Sequence, residues 1–117
     1  KEVTFLIFGK QFNQDLKRVD FKHVTHLSFG DDFNRTMHNI DFKNITHLKF
    51  GHHFNQFLGG IDFKNVIHLT LGHTFNQSLT GIDFKQIAHL TLGNSFSQRL
   101  DDNRSNSPLL SGTFNVS

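Results

Sequence analysis

The residues of this chain best suited to chemistry are its nine histidines, two of which stand side by side in the stretch Phe50-Gly51-His52-His53-Phe54-Asn55. Neutral imidazole is a common ligand for zinc, copper and nickel, and it is the acid–base group that titrates nearest neutrality. Either role requires several such side chains to converge. His26, His47, His68 and His89 are spaced by 21 residues, and His52 and His73 repeat that step. His23, His38 and His53 recur nowhere. If each unit is one coil of a stack, His47, His52, His68 and His73 lie on adjoining coils, with Asp31 and Asp32 one coil earlier, and a zinc or nickel site becomes geometrically accessible. The plainer reading is that a recurrent outward histidine packs and hydrogen bonds across strands and recurs because its unit was copied. On that reading no cofactor is expected.

A second set of chemical groups is Asp20, Asp41, Asp62 and Asp83, each two residues before a lysine, Lys22, Lys43, Lys64 and Lys85. Catalysis needs a unique constellation whose environments push pKa values apart, and four copies of one exposed pair are the opposite. Rows of Asp and Lys are expected to neutralise one another, each exposed pair contributing at most about 1 kcal/mol. No phosphate-binding glycine loop, nucleophile elbow or HExxH stretch is present. The chain therefore reads as a non-enzyme.

What positions these residues is a period. Glycine stands at Gly9, Gly30, Gly51, Gly72 and Gly93, and Phe12, Phe33, Phe54, Phe75 and Phe96 keep the same 21-residue step without a gap. The repeats run over 3–23, 24–44, 45–65, 66–86 and 87–100; the last loses the pattern where Ile-Asp-Phe-Lys is due and the chain reads Asn103, Arg104, Ser105, Asn106. A 21-residue unit is too short for the helical hairpins of the common α-repeats, which need about 33. Each unit must be mostly extended. In HLxFG the apolar residues alternate with polar ones, so Leu27 and Phe29 should point inward and His26 and Ser28 outward. Ile61, Asp62, Phe63 and Lys64 alternate in the same way, which predicts a second, weaker extended side. Corners are expected at the glycine and near Gly59 and Gly60.

The fold class is thus mainly β: a leucine-rich-repeat-like solenoid of about five coils, one parallel strand per coil, with equivalent residues about 4.8 Å apart. Nine of the fifteen phenylalanines fall into two rows, Phe12-33-54-75-96 and Phe21-42-63-84. One coil cannot cover such rings, but its neighbours can, each buried Phe contributing on the order of 2–3 kcal/mol. Asn13, Asn34, Asn55 and Asn76 follow the first row and suit an amide ladder that serves the backbone of the adjacent coil.

Composition narrows the partners. The 117 residues support one domain; cysteine is absent, and a formal charge of +2 with acids and bases interspersed lacks the one-sided excess that nucleic acid or a membrane surface requires. No apolar run approaches the roughly 18 residues of a membrane span. Asn34-Arg35-Thr36 and Asn76-Gln77-Ser78 are glycosylation sequons on the ladder asparagines, where a glycan would disrupt the stack; a cytoplasmic location is expected.

The repeated THLxFGxxFNQ, with Phe12-Asn13, Phe33-Asn34, Phe54-Asn55 and Phe75-Asn76, resembles the FNIP repeat, a leucine-rich-repeat-like unit of slime-mould and giant-virus proteins. The resemblance spans residues 3–100. It departs at the family's usual Ile-Pro, which here is Val19-Asp20, Ile40-Asp41, Ile61-Asp62 and Ile82-Asp83, so the return side should be more strand-like than in proline-bearing members. Val24, Leu27 and Phe29 match the leucine-rich-repeat core, while the asparagine falls two residues later than usual. The resemblance implies a substrate-recognition role in a ubiquitin ligase, since family members often carry an F-box, and for a viral protein the host cytoplasm. No F-box segment is found in this chain.

Variation between copies points to a face. The slot after the invariant leucine reads Ile7, Ser28, Lys49, Thr70, Thr91; the slots after glycine include Asp31, Asp32, His52, His53, His73 and Asn94. A fixed frame with varied outward residues is how repeat proteins acquire partners, so Ser28, Asp31, Asp32, Lys49, His52, His53, Thr70, His73, Thr91 and Asn94 are the expected binding residues for another protein. The alternative is a structural solenoid that forms homo-oligomers through exposed ends, because Phe5 and Ile7 fill slots that later copies give to His and a polar residue. Residues 101–117 read as a C-terminal tail or loose cap, with Leu109 and Leu110 available to fold back and Phe114-Asn115 echoing the repeat out of register.

Overall fold

The computed structural model describes residues 4–37, 39–83, 85–98 and 113–116. His38, Phe84, Leu109 and Leu110 lie outside the described residues. The regular elements are β1 Phe5–Ile7, β2 His26–Ser28, β3 His47–Lys49, β4 His68–Thr70, β5 His89–Leu92 and β6 Thr113–Val116. They form one sheet in chain order, every neighbouring pair parallel. The register follows the repeat: His26 pairs with His47, His47 with His68 and His68 with His89. The fold is the β-solenoid that the period predicts, and no helix occurs among the described residues, so none is long and apolar enough to cross a membrane.

Strands β2 to β5 are each entered by the same shared bond. The carbonyl of Thr25 accepts from Thr46 N at 2.8 Å and His47 N at 3.2 Å, and Thr46 and Ile67 repeat this one coil on. The corner after the strand is also bonded between coils: His53 N donates to Asp31 O and Thr74 N to His52 O, both at 3.0 Å. These bonds bring backbones together at the glycines. A Cβ on Gly51 would strike the backbone of Gly30 and Asp31, and one on Gly72 the backbone of Gly51. Glycine recurs here because coils touch, whereas a left-handed backbone occurs at the other corner, at Asn39, Gly60 and Gly81, with φ of 63°, 82° and 83°.

The core is a set of columns. Phe12, Phe33, Phe54, Phe75 and Phe96 stack with ring centroids 6.0–6.2 Å apart. A column that the sequence reading did not single out, Phe8, Phe29 and Phe50, stands beside it at 5.2 and 5.3 Å spacing. The two interleave: Phe29 lies 4.1 Å from Phe33, and Phe50 4.0 Å from Phe54. In later coils Leu71 and Leu92, both buried, take the Phe29 slot. Phe21, Phe42 and Phe63 form the column on the return side, with Phe21 and Phe42 edge to face at 5.7 Å. Ladder amides join the coils next to the first column: Asn13 Oδ1 accepts from Asn34 N, Asn34 from Asn55 N and Asn55 from Asn76 N, all within 2.8–2.9 Å.

Two expectations about the return side are corrected. It carries no strand among the described residues. Phe63 is buried and Asp62 and Lys64 are exposed as the alternation implied, but Asp62 Oδ1 accepts a hydrogen bond from Lys64 N at 2.9 Å, and Val66 N donates to Phe63 O at 2.9 Å. A short acceptor two residues ahead of a free N–H closes an Asx turn more readily than it continues a strand. The same carboxylate-to-backbone bond recurs at Asp20, Asp41 and Asp83. Among the described residues no ion pair joins these Asp and Lys side chains; the carboxylates hold the backbone.

The tail reading is refined. Thr113–Val116 adds to β5 in parallel, with Phe114 opposite Leu90 and Asn115 opposite Thr91. Phe114-Asn115 thus sits in the strand rather than in the phenylalanine–asparagine corner of the earlier coils.

Candidate functional site

The outward side of the sheet carries a row of imidazoles. His26, His47, His68 and His89 stack face to face with centroids 4.0, 4.3 and 4.3 Å apart, and Phe5 extends the row at 4.4 Å from His26. In-register parallel pairing produces this, because it places like residues directly beside one another. The residue before each histidine sets its bonding. Thr25 Oγ1 lies 3.0 Å from His26 Nδ1 and Thr46 Oγ1 2.9 Å from His47 Nδ1. In the next coil that residue is Ile67, and the buried Nδ1 of His68 has no partner. Burial first, and the neighbouring imidazoles second, hold His47 and His68 below the ordinary value of 6.5.

The expected binding residues gather around two shallow depressions on this side. One of about 310 Å³ is lined by Asp31, Lys49, His52, Thr70, His73, Thr91 and Asn94. The other, of about 370 Å³, is lined by Ser28, Lys49 and Thr70 together with Phe5, Ile7, His26, His47 and His68. Lys49 and Thr70 stand on the divide. Asp32 and His53 pair beside the first depression at 3.9 Å, and His53 Nδ1 lies 2.9 Å from Asp31 O. None of the ten residues is buried. The histidine row is the one that the 21-residue step implies, but sequence reasoning missed the groove that Phe5 and Ile7 form with it, although the apolar filling of those slots in the first copy was the signal.

The four candidate metal ligands separate into two rows, His47 stacked on His68 and His52 on His73 at 4.9 Å. Among the described residues no group of three or more His, Asp or Glu side chains is placed to hold a metal ion. Stacked rings aim their nitrogens side by side instead of at a common centre.

No family model matches the chain, and no curated protein or solved structure matches it either.

Proposed function

We propose that this chain is a non-catalytic recognition module that holds another protein on the outward face of its parallel sheet. The observation that carries this reading is a division of labour within each coil. Buried Leu27, Leu48, Leu69 and Leu90 repeat without change, whereas Ser28, Lys49, Thr70 and Thr91 vary beside them on the face that holds both depressions. Burial in the core fixes the first set, whereas the second contributes its carbonyls to the preceding coil and leaves its side chains outside the core. Substrate recognition for a ubiquitin ligase belongs to this reading through the FNIP resemblance. A cytoplasmic location, the host's for a viral protein, is supported by Asn34 and Asn76, whose amide oxygens accept bonds from the next coil, so that a glycan on the same amide would crowd the ladder.

The test is capture of partners from native cytosol by the wild-type chain and by Asp31→Ala, Lys49→Ala, His52→Ala. Loss of the same captured protein with the triple variant supports the reading; unchanged capture makes the variation drift. A second reading is end-to-end or side-by-side assembly, favoured by Phe5 and Ile7, which are 64% and 71% exposed on β1. Light scattering separates the two, since a concentration-dependent oligomer that persists in salt marks assembly and a clean monomer marks recognition.

A further inference from the structure

We infer that the groove along the histidine row docks an extended acidic segment of a partner protein, one that alternates carboxylates with aliphatic side chains. The inference rests on the recognition reading and names the partner's chemistry.

Charge selects the ligand. Lys49 is the one fixed charge lining the 370 Å³ groove, and no carboxylate lines it among the described residues. The groups around the row are known on each side. Lys22 and His23 line the cleft that runs behind it along Thr25 and Thr46. Lys49 lies on β3 itself, His89 ends the row on β5, and Asp31, His52 and His73 line the neighbouring depression. A carboxylate at the row therefore meets ammonium, imidazole and the hydroxyls of Ser28 and Thr70, with no acid inside the groove.

Hydrogen bonding points the same way. His68 Nδ1 is buried without a partner. An unsatisfied buried acceptor is tolerated better than an orphaned N–H, so the ring carries its proton on Nε2 and offers a donor at its open edge. Burial first, and the rings stacked beside them second, disfavour a proton on His47 and His68. A bound carboxylate offsets that penalty, so binding takes up protons.

Shape selects a peptide over a nucleic acid. Phe5 and Ile7, exposed along one wall, give the groove apolar surface, which the alternate side chains of an extended segment can cover. A single lining lysine is too little charge for a phosphate backbone.

Fluorescence anisotropy with labelled decapeptides decides it, using alternating Glu-Leu, Gln-Leu and Lys-Leu sequences and an oligo(dT) strand. The Glu-Leu peptide should bind about tenfold tighter than the Gln-Leu peptide, and more tightly at about pH 6 than at about pH 7.5. Lys49→Gln and His47→Gln should each weaken it by about three- to tenfold, with Asp62→Asn on the return side as the unaffected control. Circular dichroism of each variant separates lost binding from lost folding. Equal binding of the Glu-Leu and Lys-Leu peptides, tighter binding of oligo(dT), or binding of no peptide overturns the inference. If no peptide binds while the Asp31, Lys49 and His52 alanine variant still loses its captured protein, the acidic class falls and the recognition reading stands; if that capture is also unchanged, both fall.

Discussion

The strand side and the return side of each coil solve one problem by different means. On the strand side, backbone groups of adjacent coils bond directly, the glycine corner allows main chain to touch main chain, and like residues stack within 4.0–6.2 Å. On the return side, side chains do the joining: Asp62 holds Lys64 N within its own coil, and Asn65 Nδ2 reaches back to Lys43 O at 2.6 Å. Main-chain contact tolerates no substitution at its narrowest point. Side-chain contact tolerates any residue with a suitable donor or acceptor, and so the return corner reads Lys17-Arg18, Gly59-Gly60 or Thr80-Gly81 in different copies.

The comparison breaks first in the phenylalanine columns. Phe54 is fully buried between Phe33 and Phe75, and Phe54→Ala should destabilise by about 3–5 kcal/mol in urea melts. A loss under about 1 kcal/mol would show that neighbouring coils do not share these rings. Glycines sharpen the contrast. Gly51→Ala forces a Cβ against the previous coil's backbone and should cost about 3 kcal/mol. Gly60→Ala meets open space and pays only for its left-handed φ, about 1–2 kcal/mol. Equal effects would remove the distinction between the two corners. The amides give a smaller step: Asn55 Oδ1 accepts from both Asn76 N and Gln77 Nε2, so Asn55→Ala should lose about 1–3 kcal/mol, and Asp62→Ala, with its single exposed turn bond, about 1 kcal/mol or less.

The period alone makes the strand side legible. Leu27, Phe33 and Asn34 recur at fixed steps, and stacking such copies leaves one register. Three features were harder to read. The Phe8-29-50 column ends in Leu71 and Leu92, so its run in the sequence is short and looks like strand alternation. Asp62 two residues before Lys64 has the same spacing whether it bonds the lysine's side chain or its backbone N–H, and only geometry distinguishes them. The histidine row was visible as a row, but its unequal bonding depends on a change one residue away, from Thr25 and Thr46 to Ile67.

That change yields the two smallest predicted effects. Ile67 is already 38% exposed, so Ile67→Thr loses little burial and supplies His68 Nδ1 with the hydroxyl that Thr46 gives His47; a gain of about 1 kcal/mol is expected from melts at neutral pH. Acid acts in the other direction. His47 and His68 sit below 6.5 when folded, so the unfolded chain takes up protons near that value which the folded chain refuses. Stability should be intact above about pH 6.5 and decline as pH falls below it, until the folded rings themselves protonate. A melting temperature that stays flat from about pH 7.5 to about pH 5 contradicts this.

The central claim is that each coil is covered by the coil one period away. Nuclear Overhauser contacts in a sample labelled at the phenylalanine rings test it most directly. The account predicts cross-peaks from Phe54 to Phe33 and to Phe75, whose ring centroids lie 6.0 and 6.2 Å away. Cross-peaks from Phe54 confined to residues of its own 45–65 repeat would contradict it.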